Sequence, residues 1–273
     1  MLGHKLHYYL NKVNDFNVTT TIRSKEIASK VLQNGYVETD VSIEKLGKIR
    51  EIIRSADYVV NSIGIVKQIR NVPFERFIEV NGIFPHRIAS MCHEVGAKMV
   101  QISTDCVFDG TRGYYSEIDH PDATDPYGYS KAVGEVGYGD NITIRTSIIG
   151  SELESTNGLF EWFRTKTRNR VQGYANAIWS GLTCDQLALI LISIIKKHPS
   201  LKGIYHIGIR EPISKLDLLR IFNETFSLQK IIEPYYEFKM DRSLNTSKFL
   251  KDTGLNVQPI REQISEMVDL RNQ

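Results

Sequence analysis

Hydrophobic positions along the chain alternate between two periods. In "MLGHKLHYYLNKV" the apolar residues Leu2, Leu6, Leu10 and Val13 recur at helical spacing, so a helix is expected almost at once. "FNVTTTIR" is β-branched and reads as a strand, "SIEKLGKIREIIRSA" as an amphipathic helix, and "DYVVNSIG" as a short buried strand ending at Gly64. "RFIEVNGIFPHRIASMCHEVG" reads as a long helix with a proline inside it. "KMVQIST" is a buried strand, "YGYSKAVGEVGYG" starts a helix, and "NITIRTSIIG" is a strand again. Near-continuous apolar strands alternating with helices predict an α/β fold, a doubly wound parallel sheet with both faces covered.

After Gly150 the pattern loosens. Residues 151–183 are polar, aromatic and turn-rich, "CDQLALILISIIKKH" returns to a helix and "GIYHIG" to a strand, and the tail from Glu211 suggests two or three short helices. The expected division is a nucleotide-cofactor-binding domain over 1–150 plus about 182–208. A smaller C-terminal substrate domain takes about 151–181 and 209–273. No internal repeat or low-complexity segment interrupts this.

Composition adds exclusions. With 41% hydrophobic and 24% charged residues among 273, the chain is an ordinary globular sequence. A net charge of +2 without basic runs predicts no nucleic-acid partner. The longest apolar run, Leu187 to Ile195, is too short to span a bilayer and reads as a buried helix. No signal peptide precedes the first helix, and no membrane partner is expected. Cys92, Cys106 and Cys184 have no metal spacing, so free thiols in a reducing cytoplasm and no metal site are expected.

In a doubly wound sheet, ligands bind at the carboxyl ends of the strands. One strand runs out at Ser103, Thr104 and Asp105, and another ends in Asn61, Ser62 and Gly64, small residues that let a ligand approach the backbone. Tyr127 and Lys131 stand four apart at a helix start, on one helical face. An ammonium beside a phenol favours phenolate, so a lowered Tyr127 pKa is expected, with Tyr127 moving a proton and Thr104 holding the same oxygen.

Tyr127-x-x-x-Lys131, preceded by "STDCVFDG" and "VNSIG", resembles the extended short-chain dehydrogenase/reductase superfamily. With "RTS" at 145–147 and "LNTSKF" at 244–249, it is similar to the dTDP-4-dehydrorhamnose reductase group. The resemblance implies a Rossmann-type reductase of a nucleotide-linked 4-keto sugar, using NADPH, with NADH the alternative. It serves surface-polysaccharide synthesis in the cytoplasm, with a homodimer compatible. Thr104, Tyr127 and Lys131 match its catalytic positions. "MLGHKL" matches only the end of its glycine turn, with Gly3 as the third glycine beside His4. The chain is therefore expected to be N-terminally truncated, lacking the first strand.

The implied cofactor contacts add Arg23 as a reader of a 2′-phosphate, Asp40 and Val41 at the adenine, Asn61, Ser62, Gly64 and Ser103. A solvated arginine and a turn role are the alternatives at Arg23 and at Asp40–Val41. The sugar is assigned to Thr104, Asp105, Cys106, Tyr127 and Trp179, with a plain core role the alternative for Trp179 and Trp162. Cys106 stands where the family usually has tyrosine, and Ile148 where it often has an aromatic residue. His206 is expected to be a core histidine. The competing functions are a nucleotide-sugar epimerase or dehydratase and a non-catalytic regulatory subunit.

Overall fold

The computed structural model describes residues 1–13, 15–22, 36–38, 46–153, 155–165 and 169–267. Helix α1 (Leu2–Lys12) is followed by strands β1 (Thr20–Ile22) and β2 (Tyr36–Glu38), which pair in parallel with each other. Helix α2 (Leu46–Ile53) leads into β3 (Tyr58–Asn61). Helix α3 runs through three consecutive segments, Phe74–Phe77, Ile78–Ile83 and Phe84–Val95, and the middle one is a π-helix. Pro85 accounts for the widening, because it has no N–H to give the Asn81 carbonyl one turn back.

The chain continues through β4 (Lys98–Ile102), α4 (Pro126–Val133), β5 (Ile142–Arg145), β6 (Ile148–Ile149) and α5 (Leu159–Thr165). Strands β7 (Arg170–Trp179) and β8 (Leu182–Thr183), helix α6 (Cys184–Lys197) and β9 (Gly203–His206) follow.

Strands β3, β4, β5 and β9 form one parallel sheet in that order. Successive residues of β4 point to opposite faces. Val100 and Ile102 pack with Leu2 and Leu6 of α1 and Leu187 and Leu191 of α6, whereas Met99 packs with Ile49 and Ile53 of α2 and Phe84 and Ile88 of α3. Helices thus cover both faces, and the fold is the doubly wound Rossmann-type sheet. Helix α1 is fixed by a buried ion pair from Lys5 to Asp185 at 2.9 Å and by His7 against Thr20 of β1 at 2.8 Å. Among the described residues the β1–β2 pair and the four-stranded sheet are separate pairing sets.

A second sheet is built from β10 (Ile213–Ser214), β7 and β11 (Ile231–Asp241), in the order β10-β7-β11. Helix α7 (Lys215–Thr225) packs on it, α8 (Ser247–Thr253) packs on β9, and α9 (Ile260–Ser265) on α7 and β8. Strand β11 corrects the reading of the tail as helices alone, and β7 corrects the reading of 151–183 as turn-rich. Neither strand carries a strong apolar alternation. Strand β7 buries small residues such as Gly173 and Ala177, and β11 is an edge strand whose Pro234, Tyr236, Glu237, Phe238 and Lys239 stay exposed. Among the described residues no helix is long and apolar enough to cross a membrane, and no group of three or more potential ligands could hold a metal.

Candidate active site

The carboxyl end of β4 is stitched to the end of β5, with the Ser103 N–H donating to the Ile144 carbonyl and the Asp105 N–H to the Thr146 carbonyl, at 2.7 and 3.0 Å. Thr104 is extended and caps the 3-10 turn Asp105–Val107. Its Oγ1 accepts from the Cys106 N–H and donates to Asp105 Oδ1, both at 3.1 Å. The hydroxyl that sequence analysis assigns to the reacting oxygen is thereby oriented from two sides.

Helix α4 begins at Pro126, whose fixed φ suits a first turn, and Asp125 caps it by accepting from the Gly128 N–H at 3.0 Å. A Cβ on Gly128 would stand 2.2 Å from the Cys106 carbonyl oxygen, so α4 packs directly on the Thr104 loop. Deeper in the helix, a Cβ on Gly134 would stand 1.8 Å from the Asn81 carbonyl oxygen, the one Pro85 leaves without its helical donor. Asn81 then clamps the loop after β3. Its Oδ1 accepts from the Ile65 N–H at 2.8 Å, and its Nδ2 donates to the Ile65 carbonyl and to Ser130 Oγ at 3.0 and 3.1 Å.

Lys131 is buried, and its Nζ donates to the Ile102 carbonyl at 2.6 Å. Burial pulls its pKa down to about 8, while Glu135, one turn on, pulls it back up. Tyr127 is partly buried, and burial pushes its phenol above the ordinary value. Cys106, Asp105 and Asp125 push the same way, and a hydrogen bond with the Thr104 side chain opposes them. This corrects the expected lowering. The Lys131 ammonium is engaged by the Ile102 carbonyl, and desolvation of the phenol dominates.

Ser103 is buried and donates to Glu135 Oε1 at 2.8 Å. Asn61 is buried, donates to Gln101 Oε1 at 2.8 Å and accepts from the Ile63 N–H at 3.1 Å. Gly3 and His4 lie in the first turn of α1, and a Cβ on Gly3 would stand 3.1 Å from Ser62 Oγ. A Cβ on Gly64 would stand 3.3 Å from Asn81 Oδ1 and 3.9 Å from Lys131 Nζ. The structure therefore brings Gly64 up to Lys131, and Ser62 up to the α1 N-terminus. Cys106 is partly buried and burial raises its thiol pKa. Trp179 lies in the core, 4% exposed, with Nε1 donating to Ser147 Oγ at 2.9 Å, so it is not an open pocket wall. Arg23, Asp40 and Val41 lie outside the described residues.

Sequence reasoning missed the support behind these groups. Glu135 accepts from Arg145 Nε and Nη2, each at 2.7 Å, and Arg145 is fully buried with its guanidinium over the Phe108 ring. The signal was present in part, since Glu135 follows Lys131 at helical spacing. His206 is buried with Nδ1 3.0 Å from the Tyr115 carbonyl and Nε2 3.3 Å from Arg145 Nη1. A carbonyl can only accept and a guanidinium only donate, so the neutral ring carries its proton on Nδ1.

The family model described as RmlD substrate binding domain matches residues 38–272. A dTDP-4-dehydrorhamnose reductase of Streptomyces griseus is 46% identical over 59 residues, 20% of this chain and 19% of that protein. The shared stretch thus spans about a fifth of that relative's length. The spore coat polysaccharide biosynthesis protein SpsK of Bacillus subtilis is 28% identical over 209 residues, 71% of each chain. The crystal structure of dTDP-4-dehydrorhamnose reductase from Bacillus anthracis in complex with NADP shares the fold at TM-score 0.74 and 22% identity, covering 90% of this chain and 94% of that one.

Proposed function

The chain belongs to the RmlD substrate binding domain family, and we propose that it is an NADPH-dependent reductase of a nucleotide-linked 4-keto sugar. Its place is the cytoplasmic synthesis of surface-polysaccharide precursors. Residues 1–150 with about 182–208 hold the cofactor, and about 151–181 with 209–273 hold the sugar. The observation that carries this reading is the packing of the first turn of α4, which holds Tyr127, on the loop of Thr104, with Gly128 against the Cys106 carbonyl and Lys131 anchored on the Ile102 carbonyl.

The residues fit a dinucleotide. Side chains are missing where a ligand must approach, at Gly3 beside Ser62 and at Gly64 beside Lys131 and Asn81. The first-turn N–H groups of α1 at Gly3 and His4 suit a pyrophosphate. Asn61, Ser62, Gly64, Ser103 and Lys131 are the remaining described residues assigned to the cofactor. When bound, the nicotinamide supplies the hydride. Thr104 turns its one hydroxyl proton from Asp105 to the reacting oxygen, and Tyr127 gives that oxygen a proton. Burial keeps the phenol protonated at neutral pH, as it would be unburied, so the donor role rests on its place beside the Thr104 loop. Lys131, anchored on the Ile102 carbonyl, holds the nicotinamide ribose.

The reading is tested by mixing the full chain with NADPH and dTDP-4-keto-6-deoxyglucose. Loss of reduced-nicotinamide absorbance in step with formation of the 4-hydroxy sugar supports it. NADPH that stays bound and unoxidised with this and with the corresponding UDP-linked keto sugar contradicts it.

A further inference from the structure

Two cations from separate segments meet on Cys106, two residues past Thr104. Lys67 Nζ, in the loop after β3, lies 3.8 Å from the sulfur, and Arg242 Nη1, just past β11, lies 3.3 Å from it. Lys215 opens α7, and its ammonium is disfavoured first by burial and then by Lys67 and Arg242, against the pull of Asp105 and Cys106. The ion pairs described for the chain include none of the three.

The neighbouring carboxylates have other partners. Asp105 accepts from Thr104, and the Asp109 carboxylate accepts from Thr111 and Tyr115, while its backbone carbonyl accepts from Arg242 Nη2 at 3.4 Å and its charge draws on Arg242. Asp217, in the first turn of α7, is taken by Ser214 and Arg220. Lys215 also breaks a local rule, since the amino end of an 11-residue helix is its positive end and disfavours a cation. A sequence that places three cations together against this opposition has a use for the positive field.

The position names the use. Cys106 follows Thr104 by two residues and packs its carbonyl on Gly128 beside Tyr127. The cations are therefore one side chain away from the reacting end of the site. We propose that Lys67 and Arg242, with Lys215 in support, form an anion subsite that takes a carboxylate or phosphoryl group of the sugar nucleotide. The subsite rests on the reductase reading for its ligand class and needs no turnover to be detected.

The test is calorimetric titration of the full chain with UDP-glucose, UDP-glucuronate and dTDP-glucose, with NADPH binding measured on the same samples. Lys67→Gln and Lys215→Gln should each weaken sugar-nucleotide binding by about tenfold or more, as loss of a charge-assisted hydrogen bond does. Lys67 is exposed, so Lys67→Glu keeps the fold and loses more, and the effect shrinks as salt rises. Lys202→Gln, at a solvent-facing lysine paired with Asp140, leaves binding unchanged. A loss confined to UDP-glucuronate identifies a ring carboxylate as the ligand, and an equal loss on all three identifies a phosphoryl group. Affinities within about twofold of the parent for every ligand overturn the subsite, and so does a parent that binds none of the three. NADPH binding retained in those cases leaves the reductase reading standing, and its absence removes that reading as well.

Discussion

The wall behind the reacting residues and the wall in front of them treat charge in opposite ways. Behind, every charged group found a partner from the fold itself. Glu135 takes two hydrogen bonds from Arg145 and one from Ser103, and Arg145 turns its remaining edge to His206 and its face to Phe108. In front, Lys67 and Arg242 converge on the Cys106 sulfur, and Arg242 finds only the Asp109 backbone carbonyl besides. A saturated buried network is rigid and fixes the strand end that carries Thr104. A positive excess is unfavourable until a ligand neutralises it. The comparison separates what holds the site from what the site holds.

The largest stability effect should come from breaking the balanced wall. Glu135→Ala leaves the fully buried Arg145 cation unpaired and should cost about 3–5 kcal/mol, read as a collapse of the melting temperature. Removing the positive charge from the opposite wall with Lys67→Gln should leave the melt nearly unchanged. Equal losses from the two variants would erase the distinction.

A smaller effect should follow at the packing that joins the two helices of the site. Gly134→Ala drives a methyl onto the Asn81 carbonyl and should cost about 1–3 kcal/mol, measured by denaturant unfolding. Wild-type stability there would mean that α3 and α4 are free to shift apart.

Near neutral pH the smallest effect is a pH dependence. Burial, then the Arg145 charge, depresses His206 to about 3 in the fold, whereas an unfolded histidine titrates near 6.5. Between those values the unfolded chain binds the extra proton, so stability falls as pH falls from about 6.5 towards about 3. This one group contributes at most about 1.4 kcal/mol per pH unit. His206→Gln should flatten that part of the stability curve, and an unchanged slope would show that His206 is already charged in the fold.

Much of the reacting half was legible in the sequence because its signals are local. Strand ends, the Tyr127–Lys131 spacing and the alternation of apolar strands with helices depend on residues within a few positions of each other. The second sheet was not legible, since β7 buries small residues and β11 leaves most of its side chains in solvent. Trp179 was open between pocket and core because aromatic residues serve both, and only its contact with Ser147 decides. The direction of the Tyr127 shift was missed because spacing reports a neighbouring charge but not desolvation. The cationic wall joins residues separated by 39 and 136 positions from Cys106, a distance no periodicity spans.

The central claim is that Tyr127 gives the proton. Single-turnover reduction of dTDP-4-keto-6-deoxyglucose by the Tyr127→Phe variant, with NADPH affinity measured in parallel, addresses it directly. The account predicts a rate lower by about a hundredfold or more with nearly unchanged NADPH binding, because the phenyl ring keeps the packing and loses only the transferable proton. A variant that reduces the keto sugar at the parent rate would contradict it.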